Sequence, residues 1–407
     1  MLNCEGVVMY KKDLTYICGV KNVKNLISKP FNNQTINFLS ELSRLIIQDK
    51  KNKIYPDLIS FAFWIRSSRI INIKKKIFDL DSKVSKGTIF HISPSNVPLN
   101  FAYSFVFGLI TGNSNIIKLP NKNFHQVQIF CEIINNLFNK KEFNELKNKN
   151  SFIKYNSDIS EITKNYSIQS NVRIIWGGDK TVKSVKQFDT SLKNLDIVFS
   201  DRTSIAVLNI SKDIFKNKID FARLAQNFYN DTFLMDQNAC SSPHIIIWQG
   251  KKKDINKFQN FFWNSVYKLV KKKYDMPLIA SMDKLDLICE DSLKYKKYIK
   301  KILNHDNFIV RVLLNDSPKD LSLLRGKFGY FYEINSNNLR SIINKLNFKF
   351  QTLSYFNIDK NDVHNLLLNN QKYAIDRVVP IGSALEMDFV WDGYDLLNIL
   401  TRQITIN

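Results

Sequence analysis

Glycine and proline are scarce in this chain of 407 residues, which contains 12 of the former and 9 of the latter. Such low counts exclude collagen-like, linker-like and low-complexity classes. Cysteine is also sparse, and the sequence has no CxxC pair and no Cys/His spacing suited to zinc, so we expect neither a disulfide scaffold nor a metal site. The odd, scattered set predicts mostly buried thiols in a reduced, cytoplasmic protein; its members are Cys4, Cys18, Cys131, Cys240 and Cys289.

Long apolar runs are lacking as well. The longest, around Phe101–Ile110, is about half of what a membrane span needs, and no apolar segment follows a basic start at the N-terminus. We therefore expect neither a transmembrane segment nor a signal peptide. Hydrophobic residues still make up 44% of the chain and aromatic residues 13%, which excludes intrinsic disorder. The length suggests two or three domains, or one enzyme of two lobes.

Acidic residues are outnumbered, with 37 Asp and Glu against 59 Lys and Arg, and the formal net charge is +22. This balance favours polyanionic partners such as nucleic acid, an anionic membrane face or a phosphorylated cofactor. The lysines are nevertheless spread along the chain in runs of no more than three, and no nucleic-acid-binding signature is present. We expect a solvated basic surface and no nucleic-acid partner.

Short β-branched and aromatic runs alternate with helical stretches along most of the chain after Gly87. The pattern predicts, for example, strands at 172–176 and 195–199 with a helix at 179–188 between them. This alternation is typical of an α/β protein with largely parallel sheets. The polar and least regular region, about 139–170, is predicted to be a surface insertion.

Cys240 stands out among the cysteines because its segment, FLMDQNACSSPHIIIW at 233–248, places it in a polar loop between a helix and a strand. Its small neighbours Ala239, Ser241 and Ser242 leave room for a substrate to reach the sulfur. Backbone N–H groups of such a loop can also point at a developing oxyanion. Local sequence alone supports a nucleophilic and a structural role for Cys240 equally.

Two candidates lie in the segment 91–122. Asn96 occupies a proline-bounded turn between a strand and a buried helix, where its side-chain N–H can donate to an oxyanion; a helix cap or turn residue is the alternative favoured by local sequence. Lys118 ends the next strand and is a candidate for contact with a nucleotide ribose or phosphate, the alternative being a solvated lysine.

A third segment, VRIIWGGDKTVKSVKQF at 172–188, joins a strand to a helix through Gly177 and Gly178. Two glycines at such a junction allow backbone to approach a phosphate or ribose. The GxGxxG dinucleotide fingerprint is absent, so the pair is weak support when taken alone.

These segments, in this order and spacing, resemble the aldehyde dehydrogenase superfamily, and within it the long-chain acyl-CoA reductases of the LuxC type. The match runs from about 86 to 400. Several collinear motifs carry it: NVPL at 96–99 followed by Gly112, Asn113 and Lys118, WGGD at 176–179, DQNACSSP at 236–243, QTLSYF at 351–356, and DRVVPIGSALEMDFVWDGYDL at 376–396.

The resemblance implies roles for the candidates. Cys240 is the nucleophile, Asn96 the oxyanion donor, and Lys118 with Gly177 and Gly178 the nucleotide contacts. The implied reaction is NADPH-dependent reduction of a fatty acyl-CoA, or another acyl thioester, to the aldehyde through an acyl-enzyme on the cysteine. The resemblance also implies a homo-oligomer, with an acyl-protein synthetase and an acyltransferase as partners.

The chain departs from the hydrolytic branch of the superfamily. The stretch DIVFSDRTS at 196–204 lacks the Glu that activates water there, which suits reduction rather than oxidation to an acid. Gln237 lies three residues before the cysteine instead of two. Glu333 is the candidate for the contact with the nicotinamide ribose, with a solvated strand-end Glu as the favoured alternative. His244 is a candidate base or cation towards the thiol, with an ordinary strand histidine as the favoured alternative.

We therefore expect an aldehyde dehydrogenase-like α/β enzyme. A Rossmann-like cofactor-binding lobe with a helical N-terminal part is predicted at 1–203, a catalytic lobe carrying Cys240 at 204–395, and a C-terminal tail at 396–407. Two other functions stay open. One is an NAD(P)-dependent aldehyde dehydrogenase that oxidises aldehydes, and the other is a basic, non-catalytic protein that binds nucleic acid or a membrane surface.

Overall fold

A computed structural model describes residues 13–77, 79–95, 97–215, 219–369 and 374–405. The described chain forms two compact units, one up to residue 200 and again from 387, and the other spanning 201–386. The division at 200 lies close to the predicted 203. The C-terminal end differs from the prediction of a lobe that runs to 395 and a separate tail. Buried Trp391, Leu396 and Leu400 belong to the hydrophobic core of the first unit.

The strands carry labels in chain order. They are β1 Thr15–Gly19, β2 Lys83–Ser85, β3 Thr88–Ile92, β4 Ser114–Lys118, β5 Asn150–Lys154, β6 Val172–Trp176, β7 Leu195–Phe199, β8 Thr203–Ile210, β9 Pro243–Gly250, β10 Ile299–His305, β11 Ile309–Leu314, β12 Tyr330–Ser336, β13 Phe350–Phe356, β14 Arg377–Pro380, β15 Val390–Trp391, β16 Tyr394–Asp395 and β17 Thr401–Gln403.

The α-helices are labelled in the same way. They are α1 Asn33–Gln48, α2 Pro56–Trp64, α3 Ser67–Lys74, α4 Asn100–Ile110, α5 His125–Phe138, α6 Asn144–Lys149, α7 Ser160–Gln169, α8 Asp179–Lys186, α9 Phe221–Thr232, α10 Lys252–Lys273, α11 Ile279–Lys294, α12 Leu339–Ile343, α13 Lys360–Leu368 and α14 Leu396–Ile399.

The larger sheet of the first unit has the strand order β1-β5-β4-β3-β6-β7. Its strands are parallel except for β1, which runs antiparallel to β5 at the edge. Every residue of β3, β4 and β6 is buried, as expected for parallel strands covered on both faces. The helix α4 is apolar on nearly all sides and buried along most of its length, as its sequence predicts.

The prediction of a surface insertion at 139–170 was wrong, because this region contains β5, an interior strand between β1 and β4. The strand is short and polar in sequence, NSFIK, and its Asn150 and Ser151 are buried. The Asn150 side chain accepts a hydrogen bond from Asn115 Nδ2 at 2.8 Å and donates to the Leu146 carbonyl at 2.6 Å. These hydrogen bonds satisfy the Asn150 side chain inside the sheet, which allows this part of the strand to be buried without an apolar pattern.

The sheet of the second unit has the order β10-β11-β12-β9-β8-β13-β14 and is parallel except for the β10–β11 pair. Alternate residues of its central strands enter two cores. Ile205 and Ile245 belong to one, whereas Ala206 and Ile246 belong to the other, which contains residues of α9 and α10. Both faces of the sheet are therefore covered.

Neither a bilayer-spanning helix nor a metal-binding cluster is found among the described residues. None of their helices combines the length and the apolar character that crossing a membrane requires. No group of three or more His, Cys, Asp or Glu side chains in the same ranges is arranged to hold a metal ion.

Candidate active site

Cys240 lies in the loop that joins α9 to β9, which confirms the predicted helix–loop–strand context. Its side chain is half-buried, and no disulfide joins Cys18, Cys131, Cys240 and Cys289, the cysteines within the described ranges. The loop turns sharply, because Asp236 and the residue after it have φ values of 52° and 60°. Left-handed backbone at two successive non-glycine residues needs support from the surroundings.

Gln237 provides that support. Its amide is 1% exposed and makes four hydrogen bonds to backbone. Nε2 donates to the Pro243 carbonyl at 3.0 Å and to the Tyr330 carbonyl at 3.1 Å. Oε1 accepts from the N–H groups of Gly329 at 3.1 Å and Tyr330 at 3.2 Å. The side chain thus ties the loop to the beginnings of β9 and β12, and its two donors and two acceptor lone pairs are all used.

A second set of contacts holds Asp236. Its carboxylate accepts from the Tyr274 hydroxyl at 2.6 Å, and its carbonyl accepts from the Phe328 N–H at 3.1 Å. The Phe328 carbonyl in turn accepts from Lys284 Nζ at 3.1 Å. Burial lowers the pKa of Lys284 to about 8. The loop before the cysteine is therefore fixed through its backbone as well as through Gln237.

Ser204, at the start of β8, holds the cysteine itself. Its hydroxyl donates to the Cys240 carbonyl at 2.7 Å and accepts from the Thr352 N–H at 3.1 Å. Three adjacent strand beginnings are thereby connected to the loop, because β8 lies between β9 and β13. The position of Cys240 is therefore fixed by the beginnings of these strands and not by the loop alone.

His244 occupies an irregularity in the ladder between β8 and β9. Ser204 pairs with Pro243 and Ile205 pairs with Ile245, which leaves His244 as the extra residue of a bulge. The imidazole is 2% exposed and interacts with the backbone of Gly326. Burial, with Arg325 nearby, lowers the pKa of His244 to about 3. The ring is neutral near pH 7, so His244 is not the cation considered from the sequence.

Asn96 lies outside the described residues, and its role stays a prediction. The strand β3 before the turn and the helix α4 after it are both described, at the predicted places. The turn itself is therefore bounded by buried elements of the first unit.

Lys118 ends β4 and is 7% exposed. Its ammonium donates to Ser157 Oγ at 2.6 Å and lies 4.8 Å from the centre of the Tyr155 ring. Burial lowers the pKa of Lys118 to about 8, against the opposing influence of Asp158. The side chain is not the solvated lysine of the alternative prediction. It carries a labile positive charge at the carboxyl end of a parallel strand, where α/β sheets bind ligands.

Gly177 and Gly178 form the turn between β6 and α8, as predicted. The Gly177 N–H donates to the Phe199 carbonyl at 3.1 Å. A Cβ on Gly178, the residue that caps α8, would meet no atom within 4 Å. The backbone at Gly178 therefore has open space beside it, whereas a Cβ on Gly177 would lie 3.1 Å from the Thr181 side chain.

Glu333 lies in the interior of the second unit, which argues against the proposed ribose contact. Its carboxylate is paired with Arg311 at 2.5 Å and also accepts from Trp248 Nε1 at 2.6 Å and Gln259 Nε2 at 3.0 Å. The residue is 2% exposed, so neither a ligand contact nor the solvated alternative describes it. A buried carboxylate with this set of donors has a structural role.

Sequence reasoning missed Asp231, a fully buried residue at the end of α9. Its two carboxylate oxygens accept from the N–H groups of Gly382 at 2.7 Å and Ala384 at 2.8 Å. Burial raises the pKa of Asp231 to about 7 despite these hydrogen bonds. An Asp in the last turn of a helix, one residue before a Thr and close to the Cys240 loop, was the only signal in the sequence.

The sequence matches the family model "Acyl-CoA reductase (LuxC)" over residues 66–278, more than half of the chain. The chain belongs to the LuxC acyl-CoA reductase family. The match covers the turn around Asn96, the Gly177–Gly178 turn and the Cys240 loop. This family member is accordingly an oxidoreductase, as predicted. No curated protein sequence matches the chain.

Solved structures of aldehyde dehydrogenases share the fold. Glyceraldehyde-3-phosphate dehydrogenase from Methanocaldococcus jannaschii, complexed with NADP, has a TM-score of 0.65 at 13% identity. The alignment covers 92% of this chain and 89% of that enzyme. Methylmalonate-semialdehyde dehydrogenase from Oceanimonas doudoroffii has a TM-score of 0.65 at 10% identity, covering 92% and 86%. The 1-pyrroline-5-carboxylate dehydrogenase of Thermus thermophilus has a TM-score of 0.63 at 11% identity, covering 92% and 81%. The predicted aldehyde dehydrogenase-like α/β fold is confirmed.

Proposed function

We propose that this reductase converts a fatty acyl-CoA, or another acyl thioester, to the aldehyde with NADPH, through an acyl group carried on Cys240. The observation that supports it most is the setting of the thiol. Cys240 is half-buried on a loop whose backbone is fixed by Gln237 and Ser204. A nucleophile needs such a fixed approach, because misplacement by an ångström costs much of the rate.

In the first half of the proposed reaction, the Cys240 thiol loses its proton and its sulfur attacks the thioester carbonyl carbon. The new C–S bond forms, the C–S bond to coenzyme A breaks, and coenzyme A leaves as the thiol. We propose that backbone N–H groups of the Cys240 loop and the Asn96 side chain donate hydrogen bonds to the oxyanion. One such donor is worth about 3–4 kcal/mol of transition-state stabilisation.

The first unit offers the residues for a nicotinamide dinucleotide, which supplies a hydride to the acyl-enzyme when bound. Gly178 leaves open space beside the turn at the N-terminus of α8. The Lys118 ammonium is a donor for a ribose hydroxyl or a phosphate. That one of the structurally similar enzymes was solved with NADP supports the dinucleotide, and the choice of NADPH is part of the proposal.

The segment 196–204 supports reduction rather than oxidation to an acid. Its carboxylates belong to Asp196, which pairs with Arg173 at 2.7 Å, and Asp201, which pairs with Arg325 at 2.6 Å. Both carboxylates are thus already engaged by a guanidinium. The segment therefore contributes no group suited to activating water.

Three further expectations from the family resemblance stay proposals. They are self-association, cooperation with an acyl-protein synthetase and an acyltransferase, and action in the cytoplasm. The fold is compatible with each, and each needs its own measurement.

The test is a balance of products. Purified protein with tetradecanoyl-CoA and NADPH should release coenzyme A, NADP and tetradecanal in equal amounts, and NADH should be used less efficiently. Cys240→Ala should abolish all three, whereas Cys289→Ala, at an exposed cysteine of α11, should leave them unchanged. A protein that instead reduces NADP with tetradecanal, and does so without coenzyme A, would be an aldehyde-oxidising dehydrogenase. Repeating the assay across chain lengths identifies the preferred acyl group.

A further inference from the structure

A chain of buried polar side chains crosses the first unit outside the proposed site residues. His91 on β3 contacts Ser104 on α4 through Nδ1 at 2.8 Å and Asn115 on β4 through Nε2 at 3.0 Å. Asn115 continues to Asn150 on β5 at 2.8 Å. At the other end, Trp176 Nε1 donates to Ser104 Oγ at 3.2 Å. All of these side chains lie in the interior of the unit.

The donors and acceptors along this chain fit only one arrangement of protons. Asn115 Nδ2 donates to Asn150, so Asn115 Oδ1 is the acceptor that faces His91. The Nε2 of His91 must then carry its proton, which leaves Nδ1 to accept from the Ser104 hydroxyl. The Ser104 oxygen is thereby free to accept from the Trp176 indole. Every link in the chain is satisfied with a neutral imidazole.

The buried setting keeps His91 in that neutral form. The residue is fully buried, and burial lowers the pKa of His91 to about 4. The space beside the ring is also closed, since a Cβ on Gly108 would lie 1.9 Å from Asn115 Oδ1 and 3.2 Å from His91 Nε2. His91 touches no group of the proposed reaction, so its fixed orientation acts through the residues that it holds.

Trp176, the last member of this hydrogen-bonded series, directly precedes the Gly177–Gly178 turn. The Trp176 ring stacks on Phe199, with centroids 3.8 Å apart and an angle of 20°. The same Phe199 accepts the Gly177 N–H through its carbonyl. The indole therefore has its edge fixed by Ser104 and its face fixed by the residue that also anchors the turn.

We propose that His91, Ser104 and Trp176 form a positioning device that fixes the Gly177–Gly178 turn for a dinucleotide. The inference rests on the proposed function, because the nucleotide role of that turn does. The hydrogen bonds of this series hold the turn in one conformation before a ligand arrives. Binding therefore does not have to order the backbone of the turn. The device sets affinity for the nucleotide and leaves acylation of Cys240 untouched.

Trp176→Phe tests the device, because it keeps an aromatic ring beside Phe199 and removes the indole N–H together with the second ring. Trp64→Phe is the matched control in the same unit: Trp64 is 5% exposed and its Nε1 donates to the Met387 carbonyl at 2.7 Å. Without any nucleotide, amide hydrogen exchange should accelerate at 177–186 in Trp176→Phe and stay at the wild-type rate there in Trp64→Phe. The KM for NADPH should rise about fivefold in Trp176→Phe, while the KM for acyl-CoA and the rate of Cys240 acylation stay within about twofold.

Ser104→Ala provides a second route, since it removes the shared hydroxyl. It should accelerate the same amides, and the double variant with Trp176→Phe should add little to either single change. Unchanged exchange at 177–186 in both single variants, or equal acceleration there in Trp64→Phe, overturns the positioning role. A wild-type protein that binds no NADPH overturns the proposed nucleotide site, and the exchange rates measured without nucleotide still decide whether the chain orders the turn.

Discussion

Single residues determine whether the Cys240 loop can present a nucleophile. Two consecutive residues of the loop have left-handed backbone, which costs on the order of 1–3 kcal/mol per residue and persists only where the surroundings hold it. Gln237 and Ser204 supply that support from β12 and β8. Cys240 is half-buried, and partial exposure is typical of reactive cysteines.

Gln237→Met tests this support, because methionine keeps the volume and removes four hydrogen bonds. Buried backbone groups of Pro243, Gly329 and Tyr330 then lose partners, so the free energy of unfolding should fall by about 2–4 kcal/mol. The rate of Cys240 acylation should fall at least tenfold, as measured by the burst of coenzyme A release. Gln259→Met, at a buried glutamine bound to Glu333, should lower stability without slowing acylation. Equal slowing in both variants would refute a local role for Gln237.

The lowered pKa of Lys118 predicts that nucleotide binding depends on pH. Burial lowers its pKa to about 8 from an ordinary value of 10.5, so the side chain loses its proton as pH rises through 8. The kcat/KM for NADPH should therefore decline above pH 8, since this ratio reports the free enzyme. Lys118→Met should show a low, flat profile over that range, whereas Lys122→Met, at an exposed lysine in the following loop, should retain the decline. A decline of the same size in Lys118→Met would assign it to another group.

At the scale of elements, the close packing of α4 on β4 explains an unusual glycine. Alanine in place of a helical glycine ordinarily stabilises a helix by up to ~1 kcal/mol. At Gly108 the added Cβ would lie 1.9 Å from Asn115 Oδ1, so helix and strand must separate or the asparagine must move. The glycine is therefore required by the neighbouring strand and by the hydrogen-bonded chain that passes through it.

Gly108→Ala should accordingly lower the free energy of unfolding by about 1–3 kcal/mol, as overpacking does. Gly178→Ala is the comparison, because its Cβ meets no atom within 4 Å and its φ of −64° suits alanine. This variant should keep wild-type stability within about 0.5 kcal/mol and raise the KM for NADPH. Urea unfolding and steady-state kinetics measure both effects. A stable Gly108→Ala protein would show that the interface has room to adjust.

Elements with an apolar pattern could be predicted from the sequence, and those held by polar contacts could not. The strand β6 and the helix α4 were found because most of their buried residues are hydrophobic. The strand β5 was missed because Asn150 is buried through hydrogen bonds to side chains and backbone. Gln237 likewise acts through Gly329 and Tyr330, about 90 residues away in sequence, and no local pattern announces such a partner.

The same distinction applies to the candidate site: residues marked by their local sequence could be predicted, and features that depend on distant partners could not. Cys240 could be singled out because its loop interrupts two regular elements with small residues. The buried state of Glu333 could not be foreseen, since it depends on Arg311 and Gln259 from other elements. Lys118 was found at the end of its strand, but the burial that perturbs its pKa comes from the tertiary structure.

At the scale of the whole molecule, the net charge is +22 and the basic residues are spread along the chain. Buried cations among the described residues are paired with carboxylates or hydrogen-bonded to carbonyls and hydroxyls. A dispersed positive surface attracts polyanions weakly and without specificity, and salt screens that attraction. The charge suits a substrate and a cofactor that both carry phosphates, and it needs no separate nucleic-acid function.

Duplex DNA should therefore bind only at low ionic strength and should not change NADPH oxidation by acyl-CoA at physiological salt. Filter binding over a salt series, beside the reductase assay, measures both quantities. Tight binding to duplex at physiological salt that persists in Cys240→Ala would favour the non-catalytic alternative.

The central claim is tested most directly by the mass of the Cys240 peptide after exposure to acyl-CoA. Incubation with tetradecanoyl-CoA without nucleotide should add one tetradecanoyl group to the peptide that contains Cys240, and later addition of NADPH should remove it as tetradecanal. The peptides that contain Cys131 and Cys289 should stay unmodified. An unmodified Cys240 peptide in a protein that still reduces the thioester would contradict the account, and so would an acyl adduct that NADPH releases as the free acid.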